Sequence, residues 1–323
     1  LYIGGYILGI IKSVRNLWSD EKQRVASISI LSNTTLVLLK LIAGIMTNSV
    51  SILSEAIHSS LDLLAAIIAF LAVRISSNPP DSKHRYGHGK FENMSGTIEA
   101  LLIFIAAVWI MIEAYKKIVY GAHVETIGIG IAVMAFASLI NWLISGLLMK
   151  TAKKSDSIAL EADAMHLRTD VYTSLGVMLG LLAIAVTKIQ LLDPIFAIAV
   201  ALLICKAAYD LIVKALIPLL DVALPLNEEE AIKEAINAVT PEGLVNFHQL
   251  RTRKAGAERY VDMHLVVPRD LTIAEVHELC DRIEKEIEIR LQHVHVLVHA
   301  EPCEDQDCEL CHKKDCRIGV NSI

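Results

Sequence analysis

Six stretches of this 323-residue chain are long and apolar enough to cross a bilayer, at about residues 25–47, 50–75, 95–118, 126–149, 160–186 and 192–217. A helix needs about 20 residues to traverse the hydrocarbon core, where its backbone N–H and C=O groups must be satisfied within the segment. Residues 25–217 are therefore restricted to a bundle of six transmembrane helices. The chain is 54% hydrophobic with a net charge of −6, so it offers no basic surface of the kind that binds nucleic acid.

The first, second and fifth runs are less purely apolar than the rest and hold Lys40, His58, Asp62, His166, Arg168 and Asp170. Ionisable side chains are costly in lipid, so these three helices are expected to face the protein interior. One pattern occurs in them twice: His58-x-x-x-Asp62 and His166-x-x-x-Asp170. A spacing of four puts both side chains one turn apart on the same helix face. Facing each other, the two pairs supply two imidazoles and two carboxylates, the number and kind of ligands in a tetrahedral Zn²⁺ site. One such pair reads equally well as a helix–helix contact. Two pairs at matched spacing in separate spans read as a metal centre.

Neutral imidazole and ionised carboxylate bind a cation, whereas protonated imidazole repels it. Protons arriving from outside would displace the metal, which makes proton-coupled export the cycle this chemistry suggests. The alternative is a membrane-embedded sensor or scaffold that binds metal without moving it. Its support is the concentration of His and Cys after the bundle, but a complete ligand set within the spans favours transport. An intramembrane metalloprotease would need His-Glu-x-x-His and a placed general base; the motif is absent, and no enzyme is expected.

Lysine and arginine orient the bundle. Lys12, Arg15, Lys22 and Arg24 precede the first span, Lys83, Arg85 and Lys90 follow the second, and Lys150, Lys153 and Lys154 follow the fourth. The opposite side has Lys116, Lys117 and Lys188. This bias puts both termini and the 77–94 loop in the cytoplasm. Residues 1–24 form an N-terminal cytoplasmic segment, in which Leu1–Ser19 is expected as a membrane-surface helix rather than a span. The chain starts at Leu1 rather than Met and shows no signal-peptide pattern, so Leu1 is taken as the start of a fragment or ordered region.

After a linker at 218–226 the composition becomes that of a soluble domain, residues 227–302. Glu228–Val239 reads as a helix capped by Asn227, Val245–Arg253 and Arg259–Val267 as strands, Thr272–Arg290 as a helix and His293–His299 as a third strand. This αββαβ order makes two helices packed on one small sheet, with His248 and His264 expected on its two central strands. The fold class is a polytopic α-helical membrane protein with six transmembrane helices and a C-terminal α+β domain.

A Cys-rich tail follows at 303–323, with Cys303-x4-Cys308-x2-Cys311-x4-Cys316 and His312. Clustered thiols in a reducing compartment point to metal, although the spacing is not a familiar zinc-finger arrangement and a disordered reactive tail is the alternative. Cys205 and Cys280, in an apolar run and a helix, are read as packing residues. The 77–94 loop places Asp81, His84 and His88 beside Pro79-Pro80 and Gly87, and reads as either a solvated turn or a metal loop. For Arg168 the expected partner is Glu99 or a lipid headgroup.

Six spans, the two His-x-x-x-Asp pairs, the loop Asp81-Ser-Lys-His84-Arg-Tyr-Gly-His88-Gly-Lys90 and the segment His248-Gln-Leu-Arg-Thr-Arg253 together resemble the cation diffusion facilitator family over about residues 25–302. The likeness is greatest to its bacterial zinc/iron efflux branch. It implies a homodimer in the cell (inner) membrane that exchanges cytoplasmic divalent metal for external protons by alternating access, with a metallochaperone-like cytoplasmic domain. It also implies a loop metal site at Asp81, His84 and His88, and a cytoplasmic metal cluster between protomers at His248, His264, His277, His299 and Glu301. In the last position relatives carry Asp. An inter-domain charge pair of Lys90 with Asp221 is implied as well. Some relatives have Asp where this chain has His58. Two nitrogen ligands favour Zn²⁺, with Cd²⁺, Co²⁺, Fe²⁺ and Mn²⁺ as alternatives. His293 and His295 fall outside the family pattern and are read as strand residues.

Truncation after Pro302 tests the tail. If its thiolates hold metal, the shortened chain binds fewer equivalents of Zn²⁺ in equilibrium dialysis, and an unchanged stoichiometry removes the tail as a site.

Overall fold

The structure, a computed structural model, describes residues 20–47, 50–120, 129–187, 191–239 and 246–304. The membrane-surface helix expected at Leu1–Ser19 lies outside the described residues, as do Cys308, Cys311, His312 and Cys316. The chain divides into two compact units, the second beginning at Pro218.

Among the described residues the first unit contains six long helices: α1 (Glu21–Thr47), α2 (Val50–Ser76), α3 (Lys90–Tyr120), α4 (Ile129–Ser155), α5 (Ile158–Thr187) and α6 (Leu192–Leu216). Among the described residues α1, α2, α3, α4 and α6 are each apolar and long enough to span a membrane by themselves. In α5 the apolar run is interrupted by Glu161, Asp163, Arg168 and Asp170. That helix packs against α2, α3, α4 and α6, so its charged face meets protein rather than lipid.

Side-chain size sorts the inside of this bundle from the outside. Ala65, Ala66, Ala69, Ala100, Ala107, Ala162, Ala201 and Ala208 are buried, while Leu38, Leu39, Ile42, Trp109, Trp142 and Leu203 are exposed. Small residues let helix backbones approach closely where no hydrophobic effect drives them together. Gly96 of α3 shows how close. A Cβ built there would lie 3.2 Å from Ile158 Cγ1, 3.3 Å from the Ile158 carbonyl oxygen and 3.4 Å from Ala215 Cβ. Nearby, Asn93 donates to the Ala215 carbonyl at 3.1 Å and fixes α3 against α6.

The ends of four helices meet at one buried carboxylate. Glu92, 1% exposed in the first turn of α3, accepts from Lys22 Nζ of α1 at 3.2 Å and from Ser76 Oγ of α2 at 2.7 Å. It also accepts from Ser157 Oγ, and Ser157 is the residue before α5. The Ser157 hydroxyl itself lies 3.5 Å from the N–H of Leu160, in the N-cap position.

The second unit is a three-stranded sheet with two helices: α7 (Leu226–Val239), β1 (Asn246–Ala255), β2 (Glu258–Val267), α8 (Ile273–Arg290) and β3 (Val294–Pro302). β1 and β2 are antiparallel, and β2 and β3 are parallel in the order β1-β2-β3. Parallel pairing needs a crossover, which α8 supplies. Val261, Met263, Leu265 and Val267 alternate along β2 onto one face, where Ile232 and Ile236 of α7 and Leu279, Ile283 and Ile287 of α8 cover them. Thr272 starts α8 with a capping box to Glu275.

Two expectations need correction. Asn227 does not cap α7: the helix starts at Leu226, and the Pro225 carbonyl accepts from both Glu228 and Glu229 N–H. The sheet order leaves β2 alone in the centre, so His248 stands on an edge strand.

Gly96→Val is expected to lower the thermal midpoint of the detergent-solubilised protein by overpacking worth about 1–3 kcal/mol. Gly146→Ala, where a Cβ meets nothing within 4 Å, should not lower it. Equal midpoints for Gly96→Val and the parent would contradict the close approach of α3 to α5 and α6.

Candidate metal centres

The two His-x-x-x-Asp turns lie on α2 and α5, which pack against each other. His166 Nε2 of α5 reaches Asp62 Oδ1 of α2 at 3.1 Å, so one member of each pair already touches across the helix interface. Asp62 is 5% exposed and the His166 side chain is 14% exposed. Asp170, one turn beyond His166, accepts from Asn141 Nδ2 of α4 at 3.3 Å. His58 stands on α2 one turn before Asp62, and its side chain lies outside the described residues.

The surroundings of this centre include groups that the repeat did not reveal. Asn141 is one. Lys40 of α1, 6% exposed, donates to Ser59 Oγ of α2 at 2.6 Å, directly after His58 in sequence. Asp163 lies one turn before His166 on α5 and is 1% exposed, and Glu99 of α3 is fully buried. Both are acids in apolar runs, which was the available signal. The expected Glu99–Arg168 pairing is not what forms: Glu99 Oε1 has the Ser95 hydroxyl at 3.5 Å, and Glu99 Oε2 has no hydrogen-bond partner among the described residues.

The loop between α2 and α3 folds around Asp81. Its Oδ1 accepts from Lys83 N–H at 2.8 Å and His84 N–H at 2.6 Å, an Asx-type turn. Gly87, at φ 80°, takes the left-handed backbone that closes the next turn, and its N–H donates to the His84 carbonyl at 2.9 Å. These turns bring His84 Nδ1 within 3.3 Å of Asp81 Oδ1 and His88 Nε2 within 3.3 Å of Asp81 Oδ2. One ligand atom from each of Asp81, His84 and His88 lies within 4.8 Å of the others. The two rings sit 4.5 Å apart, and His88, 9% exposed, stacks on Phe91 at 6.0 Å. Three ligands converging this closely suit a divalent ion with an open position. The His84 N–H, and after it the Lys83 N–H, hold the Asp81 carboxyl down at about 2.

On the sheet face opposite α7 and α8 the register aligns a row of histidines. His248 of β1 pairs with His264 of β2, and His264 pairs with His299 of β3. Ring centroids are 5.2 Å apart for His248 and His264 and 4.8 Å for His264 and His299. Glu301, two residues past His299 on the same face, takes one imidazole nitrogen from each: His264 Nδ1 at 2.8 Å, His248 Nε2 at 3.4 Å and His299 Nε2 at 3.6 Å. His277 is not brought into this group within the chain. It is 75% exposed on α8 and faces Asp281 at 3.5 Å.

Lys90 opens α3, and Asp221, at φ 53°, is 3.4 Å from Arg253 within the second unit. Cys303 is 1% exposed, and its N–H donates to the Val267 carbonyl at 2.8 Å, so it continues the sheet rather than the tail. Burial and the neighbouring Glu284 and Asp281 charges push the Cys280 thiol up, in keeping with a packing role.

Residues 26–220 match the family model for the cation efflux transmembrane domain, and residues 224–303 that for the cytoplasmic domain of cation efflux proteins. An uncharacterized transporter of Synechocystis sp. is 36% identical over 267 residues, covering 83% of this chain and 86% of the relative. The cation-efflux pump FieF of Serratia proteamaculans is 31% identical over 268 residues, 83% of this chain and 88% of that one. The metal-bound C-terminal domain of the CzcD transporter from Thermotoga maritima is 28% identical, with 24% of this chain covering 94% of that domain at a TM-score of 0.22.

Because backbone donors favour its charged form, Asp81 should remain a carboxylate as the pH falls through the usual 3.8 and protonate only near 2. The turn it anchors is fully favoured above the unfolded carboxylate value and is lost as pH falls through that lower one. A ¹³C-carboxyl titration of aspartate-labelled protein, compared with Asp81→Asn, would read this. An Asp81 midpoint in the ordinary range would contradict the geometry of the turn.

Proposed function

The chain belongs to the cation diffusion facilitator family and is a multi-pass cation efflux transporter rather than an enzyme; on that premise we propose that it exports Zn²⁺ from the cytoplasm in exchange for protons. The substrate ion is held by His58, Asp62, His166 and Asp170. The observation that carries this reading is the 3.1 Å approach of His166 to Asp62 across α2 and α5, one turn from the other member of each pair.

The ligand chemistry selects the ion. Two imidazoles with two carboxylates suit tetrahedral Zn²⁺, while Mn²⁺ and Mg²⁺ favour oxygen; Cd²⁺, Co²⁺ and Fe²⁺ rank behind Zn²⁺. The same set supplies the coupling. A proton on His166 removes a ligand nitrogen, and the imidazolium is then neutralised by Asp62 instead of the metal. Loss of that proton on the cytoplasmic side restores the site. Asn141 donates to Asp170 at 3.3 Å, and this amide contact would orient the carboxylate beside the ion.

Two further sets of ligands would hold resident ions outside the bundle. Asp81, His84 and His88 suit a loop ion, and His248, His264, His299 and Glu301 suit an ion on the sheet of the cytoplasmic domain. In a homodimer, His277 serves as the ligand that one protomer offers to the cluster of its partner. Both sets bind only with neutral imidazoles, so they report cytoplasmic metal and proton levels together.

Asp170→Ala in proteoliposomes is expected to abolish pH-gradient-driven Zn²⁺ flux while leaving the protein folded. Undiminished flux would reject the ligand assignment. Flux in the parent protein that is indifferent to the pH gradient would reject proton exchange.

A further inference from the structure

The bundle buries a set of polar groups that the two His-x-x-x-Asp pairs do not use. α1, α3 and α5 start together at Glu92, where Lys22, Glu92 and Ser157 touch. Seven residues along α1 from Lys22 is Ser29, seven along α3 from Glu92 is Glu99, and six along α5 from Ser157 is Asp163. At about 1.5 Å of rise per residue all three reach the same depth, about 10 Å from that meeting point. Each is at most 1% exposed. Asp163 lies beside both the Ser29 hydroxyl and Glu99, and both acids act on the His166 ring one turn deeper. Ser32 and Asn33, three and four residues after Ser29, continue the same face of α1 to the depth of His166.

These groups do not satisfy one another. Among the described residues Ser29 Oγ, Ser32 Oγ, Asn33 Nδ2, Glu99 Oε2, both carboxylate oxygens of Asp163 and Nδ1 of His166 are buried without a hydrogen-bond partner. His166 turns its other nitrogen, Nε2, to Asp62, and Asp62 and Asp170 are the further charged groups that act on the ring. Clustered unpaired polar atoms are costly in a protein interior, and ordered water is what commonly fills such a place. The mixture of hydroxyl, amide and carboxylate suits a molecule that both donates and accepts. It does not suit a metal ion, which only accepts electron pairs.

We propose that Ser29, Ser32, Asn33, Glu99 and Asp163 hold a chain of ordered water inside the bundle, reaching the Nδ1 side of His166. The chain approaches the transport centre from the Glu92 end and on the side of the ring away from Asp62. Its use rests on the exchange of Zn²⁺ for protons proposed above: protons move along this water, while the ion occupies the opposite side of His166.

The test uses the full chain in liposomes. Solid-state NMR of protein labelled with [¹⁵N]asparagine follows magnetisation passing from water to side-chain amides, and the Asn33 signal is the one lost in Asn33→Leu. Two other asparagines bracket the range: Asn78 is exposed, whereas Asn93 is 2% exposed and donates to the Ala215 carbonyl. Asn33 is expected to receive magnetisation at a rate closer to that of Asn78; a rate closer to that of Asn93 would overturn the water chain. Ser29→Ala/Asn33→Leu, which removes two of its anchors, is expected to lose pH-gradient-driven Zn²⁺ flux and to keep exchange of Zn²⁺ for Zn²⁺ at the parent rate. Gradient-driven flux at the parent rate, or loss of both fluxes, would overturn the role of the chain in proton movement. A parent protein whose flux ignores the gradient would instead reject proton exchange itself, and the Asn33 measurement tells the two failures apart.

Discussion

The buried Glu92 carboxylate ties together the parts of the bundle on which both of its candidate centres rest. Lys22, Ser76 and Ser157 bring it the start of α1, the end of α2 and the start of α5. Its own N–H donates to the Gly89 carbonyl, next to His88, so the loop of Asp81, His84 and His88 is anchored where α3 begins. The loop that carries Asp81 and His84 is thus held at both ends, and the helix that presents His166 and Asp170 is positioned at its first residue. Removing one partner from a buried, hydrogen-bonded charge typically costs about 3–5 kcal/mol. Here the same loss would also release the relative heights of α2 and α5, which set the His166–Asp62 distance.

The centres are built by three different means. In the bundle, helix periodicity presents His and Asp one turn apart, and only the packing of α2 on α5 brings the pairs together. In the loop, a carboxylate that organises backbone N–H groups is also one of the candidate ligands, so the same side chain sets the turn and faces both imidazoles. On the sheet, cross-strand register alone aligns three imidazoles, and a glutamate two residues beyond the last of them gathers the row. The stiffness differs accordingly. Helix packing fixes the first, while the second depends on turns that include Gly87 and are exposed to water.

Much of this was legible in the sequence because it rests on periodicity. The apolar runs predicted these six helices with ends up to six residues off, most at the Lys-bearing end of α4, and the His-x-x-x-Asp repeat marked the α2–α5 interface where His166 meets Asp62. The alternation of Val261, Met263, Leu265 and Val267 gave β2 its buried face. What failed depended on contacts with no sequence period. Asn141 looks like an isolated amide in α4 until α5 places Asp170 beside it. Cys303 reads as the first thiol of a tail, although its N–H finishes the sheet against Val267. The edge position of His248 follows from strand order, which neither hydropathy nor spacing encodes. Glu92 reads as an ordinary acid in the first turn of a helix, and only tertiary structure surrounds it with donors.

The pairing of β1 with β2 is interrupted between His248 and Arg251, with Gln249 at φ 50° inside the bulge. Before the interruption Phe247 packs inward and His248 outward; after it Thr252 is buried, and Arg251 and Arg253 stand opposite Asp262 and Tyr260. The extra residue therefore reverses which positions of the strand face the helices. A one-residue deletion between His248 and Arg251 would make the steps equal on the two strands and convert the bulge into a regular ladder, in which His248 still faces outward and Thr252 inward. Loss of one residue in this short stretch would thus spare the histidine row, and its effect would fall on the local bend and twist that the bulge gives β1.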